Sequence, residues 1–154
     1  MKKNFMLLFT LLFMACSNKA SYPWFLGSFD DAKSAAGEKL IMLDFYAAWW
    51  GGCNLLDAET FANPQVAAFA EDNLISLKLD VDKKEASELF SKFNGMVMPT
   101  IVFTNNKGEE IDRIIGFLPP DEYQAKVNNI VGNVNTLSAC LNKYNNGDNS
   151  AENL

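Results

Sequence analysis

Three cysteines, Cys16, Cys53 and Cys140, hold most of the chemistry open to this chain. A thiolate attacks disulfides and electrophiles, and its reactivity follows its pKa and exposure. Cys53 closes the run Trp49-Trp50-Gly51-Gly52-Cys53 just where a helical pattern begins. Unpaired N–H groups and the dipole at a helix start favour a thiolate, but Cys53 lies deeper into the first turn than an attacking thiol would want. Upstream, Asp44 interrupts the apolar run from Leu40 to Ala47 as a lone carboxylate that burial would perturb. Histidine is absent from all 154 residues, which excludes a Ser-His-Asp triad, a Cys-His pair and His-containing zinc sites. The formal net charge of -6 excludes nucleic acid as a partner. No metal and no cofactor are expected.

Cys16 belongs to a different kind of site. Met1-Lys2-Lys3 is basic, Phe5 to Met14 is apolar apart from Thr10, and Ala15-Cys16 ends the run. A basic start, a short apolar stretch and a small residue form a secretory signal. The stretch is shorter than the ~20 apolar residues of a transmembrane helix. Phe13-Met14-Ala15-Cys16 resembles a bacterial lipobox, with phenylalanine where leucine is more usual. The resemblance implies a signal peptide over 1–15, a diacylglyceryl thioether on Cys16, and a short tether completing 16–27. Several acyl chains anchor stably where one does not. The chain is then expected in the cell envelope, held to the membrane through Cys16 and facing the periplasm or exterior, an oxidising compartment. Ser17 after the lipidated residue favours the outer membrane over the inner in a Gram-negative cell. An ordinary signal peptide with an incidental cysteine is the alternative.

Cys53 and Asp44 need elements to place them. Ser28 caps a short helix over Asp30 to Ala36, closed by Gly37. Leu40 to Ala47 reads as a strand buried on both faces. Cys53 to Thr60 reads as a helix, and Asn63-Pro64 supplies a cap and first-turn proline for a second piece reaching Phe69. Leu74 to Val81 is a strand, and Glu85 to Phe93 an amphipathic helix stopped at Gly95. Pro99 opens the strand Thr100 to Thr104, which Asn105-Asn106-Lys107-Gly108 turns into a hairpin with Glu110 to Ile115. Pro119-Pro120-Asp121 starts a helix to Val131. This alternation predicts an α/β fold, a central mixed sheet with a parallel core, right-handed crossovers and an antiparallel C-terminal hairpin, flanked by helices. One domain spans 28–133. In 134–154, Val134, Leu137, Leu141 and Tyr144 mark a short helix whose apolar face places Cys140 in the core, followed by a polar, disordered tail.

Four segments between Gly37 and Val131 resemble the thioredoxin family in order and spacing. Leu43-Asp44-Phe45-Tyr46-Ala47-Ala48-Trp49-Trp50-Gly51-Gly52-Cys53 is similar to its active-site segment, Lys78-Leu79-Asp80-Val81-Asp82 to its third strand, and Val97-Met98-Pro99-Thr100 to its cis-proline loop. Glu59-Thr60-Phe61-Ala62-Asn63-Pro64-Gln65-Val66 resembles the subgroup containing the C-terminal domain of DsbD-type thiol:disulfide interchange proteins. The resemblance implies a thioredoxin fold. It also implies a first cysteine that attacks a disulfide, a second that resolves the mixed disulfide, a carboxylate that assists proton transfer at the second, and a cis-proline loop that presents backbone groups to an extended peptide. In this register Trp50 stands at the attacking position and Cys53 at the resolving one.

Trp50 carries no sulfur, so the dithiol cycle is closed at this motif. The expectation is an envelope-anchored thioredoxin-like protein of the thiol:disulfide exchange class with a degenerate active site. Cys53 and Asp44 are its remaining catalytic-type residues, and Trp49, Trp50, Met98 and Pro99 line the substrate groove. Its partners are protein thiols and disulfides or peptide segments in the envelope. The alternative is a non-catalytic peptide- or protein-binding module using the cis-proline groove. Cys53 as a small packing residue stands beside residual thiol reactivity. Asp44 stands as a leftover kept neutral by burial, Trp49 as scaffold, and Trp50 as a partly exposed contact. Because cysteine and tryptophan codons can differ by one base, a recent mutation or a sequencing error at Trp50 in an otherwise active gene is the third reading.

Overall fold

The computed structural model describes residues 21–147. Cys16, the segment 1–15 and the last residues of the tail lie outside the described residues.

Ser28 and Asp31 cap each other's backbone N–H groups and start α1 (Phe29–Ala35), after which Gly37 turns the chain at a φ of +56°. β1 (Leu40–Tyr46) is buried along nearly its whole length, as its apolar run requires. It pairs in parallel with β2 (Leu74–Asp80) and antiparallel with β3 (Thr100–Thr104), and β3 pairs antiparallel with β4 (Glu110–Ile115). The order β2-β1-β3-β4 makes a mixed four-stranded sheet. Parallel pairing is confined to β1 and β2, extended by a single parallel bridge from Trp24 to Ser76. Packing thus begins inside the stretch read as a tether. Tyr22 is buried there, and its hydroxyl donates to Met42 Sδ at 3.3 Å.

Alternation along β1 sorts the two cores. Ile41, Leu43 and Phe45 pack with Ala32, Leu77, Phe93 and Val102 on one face. Met42 packs with Leu56, Phe61, Ile101, Phe103 and Tyr123 on the other. Asp44 shares the face of Met42, so it points beneath the helix that carries Cys53.

That helix is not continuous. α2 (Gly51–Leu55) passes into a π-helical turn over Leu56–Phe61, and α3 (Pro64–Asn73) restarts at the cap Asn63, whose side chain accepts from the N–H groups of Gln65 and Val66. The expected helix from Cys53 to Thr60 is therefore interrupted. The wider winding buries Leu56, Thr60 and Phe61 together, with the Thr60 hydroxyl donating to the Leu118 carbonyl at 2.6 Å.

α4 (Lys84–Lys92) stops at Asn94, which takes the left-handed conformation at φ 52° in place of the glycine expected to do so. Gly95 is needed for space instead, since a Cβ there would fall 2.0 Å from the Phe90 ring. α5 (Pro120–Val131) starts as expected, and α6 (Leu137–Asn145) follows. The buried Thr136 caps α6 and sets its rotation, so Leu137, Leu141 and Tyr144 face solvent. Cys140 is half-buried rather than in the core, which corrects the reading taken from that apolar stripe.

Candidate active site

After β1 the chain turns through Ala47 to Trp50, with the Trp50 N–H donating to the Ala47 carbonyl at 3.1 Å. Trp50 caps α2 without a side-chain hydrogen bond of its own to the helix start. Its indole folds back over Gly52. A Cβ at Gly52 would lie 3.1 Å from Trp50 Nε1 and 3.4 Å from Pro99 Cδ. Glycine there lets the first turn of α2, the indole and the proline approach closely.

The Met98–Pro99 peptide is cis. Its loop is fixed from both sides: the Thr100 hydroxyl donates to the Val97 carbonyl at 2.7 Å, and the Gly116 N–H to the Pro99 carbonyl at 2.8 Å. Among the described residues, the N–H and carbonyl of Met98 have no backbone partner. Unpaired main-chain groups in the bend that leads into β3 are free for an added peptide strand to use. The two segments that meet here, the start of α2 and the cis-proline loop, expose apolar side chains. Trp49 is 65% exposed, Trp50 47% and Met96 90%, with Leu55 and Val97 also exposed. Trp49 is tethered through its indole N–H to Asp82 Oδ2 at 2.9 Å and meets Trp50 edge-to-face, ring centres 6.1 Å apart. It is held like scaffold and yet stands in the open.

Cys53 is only 2% exposed. Burial pushes its thiol above the ordinary range, and the negative charge of Asp44 pushes the same way, against a backbone hydrogen bond from Ala47 and the charge of Lys78. Both cysteines of the described region are free thiols.

Asp44 lies fully buried, with Oδ2 accepting from Lys78 Nζ at 2.9 Å and Oδ1 unpartnered. Burial raises its pKa to about 6, against the lowering effect of Lys78. Above that pH it is a carboxylate paired with Lys78, so the neutral leftover acid expected from burial alone exists only below it. Lys78 also binds Asp57 Oδ1 at 2.5 Å and lies over the rings of Tyr46, Trp24 and Phe61 at 4.4, 4.8 and 5.4 Å. Burial pulls its pKa down, but the two carboxylates outweigh that and hold the ammonium above its ordinary range. A cavity of about 370 Å³ opens beside it, walled by Tyr22, Trp24, Asp57 and Phe61.

The structure therefore gathers Asp44, Trp49, Trp50, Cys53, Met98 and Pro99 at the C-terminal end of β1, and leaves Cys140 apart on α6. Sequence reasoning passed over Lys78, Asp57 and Trp24. Lys78 was legible as the one cation on β2, opposite Asp44 in the parallel register. Asp57 reaches Lys78 from the π turn, which no local pattern announced.

A family model described as a thioredoxin-like domain matches residues 29–130. The chain belongs to the thioredoxin-like family, within the thiol:disulfide exchange class. Thioredoxin-1 of Caenorhabditis elegans is 36% identical over 112 residues, covering 73% of this chain and 90% of that protein. The thiol:disulfide interchange protein DsbD of Haemophilus ducreyi is 33% identical over 95 residues, covering 60% of this chain but 17% of that protein. The solution structure of a thioredoxin from Thermus thermophilus superposes with a TM-score of 0.64 at 21% identity, covering 74% of this chain and 90% of that one.

Proposed function

We propose that this protein is an envelope-anchored member of the family that docks extended peptide segments along the cis-proline loop and does not turn over disulfides through a dithiol cycle. One observation carries the reading: the only sulfur in the active-site turn, Cys53, is 2% exposed, and burial disfavours its thiolate. A resolving thiol can be buried, but an attacking thiol must be met by substrate, and position 50 offers an indole. What remains open is the part that holds a peptide. The unpaired backbone of Met98 provides strand pairing, and Trp49, Trp50 and Val97 provide apolar contact around it. Partners are accordingly protein segments, with or without a cysteine.

Anchoring is supported by the Lys2-Lys3 start, the apolar run and Phe13-Met14-Ala15-Cys16. Mass spectrometry of the mature N-terminus tests it: an acylated Cys16 is expected, and an intact Met1 or an unmodified Cys16 refutes it. Insulin reduction with dithiothreitol as electron source tests the chemistry. Rates at the uncatalysed background are expected, and thioredoxin-like turnover refutes the reading.

A second reading, monothiol exchange at Cys53, draws on the Asp44–Lys78 pair kept beneath it. Trapping of Cys53 in mixed disulfides by oxidised glutathione in the folded protein would favour it.

A further inference from the structure

The sulfur that solvent and partners meet at this site is thioether. Met96 is 90% exposed, and Met98 is half-buried in the loop where a docked segment would lie. Cys53 is shut away. Met42 is an internal contrast: it is fully buried, and its sulfur accepts from the hydroxyls of both Tyr22 and Tyr123, at 3.3 and 3.0 Å.

We propose that Met98, with Met96 beside it, is a peroxide-modification site that switches peptide docking in this groove; the switching half rests on the docking function proposed above. The thioether sulfur attacks one oxygen of hydrogen peroxide. An S–O bond forms as the O–O bond breaks, and the departing hydroxide takes the proton shed by the sulfur-bound hydroxyl and leaves as water. Sulfur is oxidised by two electrons to the sulfoxide, and peroxide is reduced by the same two. The product replaces a flexible apolar side chain with a polar one carrying a strong acceptor. At Met98 that acceptor stands beside the buried Pro99 and next to the backbone groups a peptide would pair with, so docking would take it out of water and set it in competition with the Met98 carbonyl for the N–H groups of the incoming strand, leaving one acceptor unpaired. Burying an unpaired polar group opposes binding. At Met96, which is almost wholly in solvent, the same change costs little. The two residues thus differ in role: Met96 is the faster target and Met98 the effective one.

The order of oxidation tests the site, and affinity tests the switch. The protein is treated with graded hydrogen peroxide, then digested and mapped by mass spectrometry. Sulfoxide is expected at Met96 first and Met98 next, with Met42 reduced until the chain unfolds. In parallel, fluorescence anisotropy reads affinity for labelled, reduced and carboxymethylated α-lactalbumin, an unfolded polypeptide whose cysteines are blocked. Affinity is expected to fall roughly tenfold in step with the Met98 sulfoxide and to return with methionine sulfoxide reductase. The Met98→Leu variant keeps whatever affinity it starts with through peroxide, whereas Met96→Leu loses affinity as the parent does. Met98 still reduced when Met42 has oxidised, or a full Met98 sulfoxide with unchanged affinity, overturns the proposal. If the untreated protein does not bind the polypeptide, the docking function and the switch fall together, and the oxidation order still decides the modification site.

Discussion

Asp44→Asn isolates the ionisation of the buried carboxylate, because asparagine keeps the shape and cannot titrate. In the folded chain Asp44 has a pKa of about 6, raised by burial against the pull of Lys78. An unfolded aspartate titrates near 3.9, and the gap of roughly two pH units corresponds to about 3 kcal/mol. The folded pKa is the higher one, so folding favours the protonated acid. Below the unfolded value Asp44 is protonated in both states and carries no penalty. As pH rises through 6 the unfolded chain has already released its proton, and the parent loses about 3 kcal/mol of stability that the asparagine variant keeps. Other titrating groups are common to both proteins, and Asp57 keeps Lys78 partnered in the variant. The test is urea unfolding at intervals from about pH 4 to about pH 8. With an m value near 2 kcal/mol/M, the midpoint of the variant should gain on the parent by about 1.5 M across that range. A difference that stays constant, or shrinks as pH rises, would show that Asp44 is not held as a desolvated acid.

Other consequences are simpler to state. With a thiol-specific chromogenic reagent, Cys140 should react in the folded protein and Cys53 only on unfolding; equal rates would mean that Cys53 is not shut away. Trp50→Cys should form a disulfide with Cys53 under oxidised glutathione and raise insulin reduction at least about tenfold over the parent. A folded variant with a free thiol at that position and no turnover would show that the site has changed beyond one residue. Gly95→Ala should cost about 1–3 kcal/mol in urea unfolding, because its Cβ would displace the Phe90 ring from its packing on Phe45. An unchanged midpoint would mean that Phe90 moves aside freely.

Much of the fold was legible because its signals are local. The apolar run of β1 (broken only by Asp44), the Asn63-Pro64 cap and the turn before β4 each carry their own physics in a few residues. Tertiary context decided the rest. Asn94, rather than Gly95, takes the left-handed turn because the glycine is spent on clearance for Phe90, a neighbour visible only once α4 is folded. The outward face of α6 follows from the burial of Thr136, which outranks an apolar stripe of three side chains. At the site, Cys53, Trp50, Asp44 and Pro99 could be found from spacing. The partnership of Asp44 with Lys78 and Asp57 could not, because it joins two strands and a π turn whose extra residue no helical periodicity encodes. Asp44 alone reads as a neutral relic, and Lys78 works against the burial that raises its pKa to about 6.

The central claim is that this groove holds peptide without sulfur chemistry. Its most direct test is the affinity of the untreated protein and of its Cys53→Ala variant for reduced, carboxymethylated α-lactalbumin, measured side by side with the complexes run on non-reducing gels. Both proteins are expected to bind, with dissociation constants within about twofold of each other, and to form no covalent adduct. Binding that vanishes with Cys53→Ala, or no binding by the parent, would contradict it.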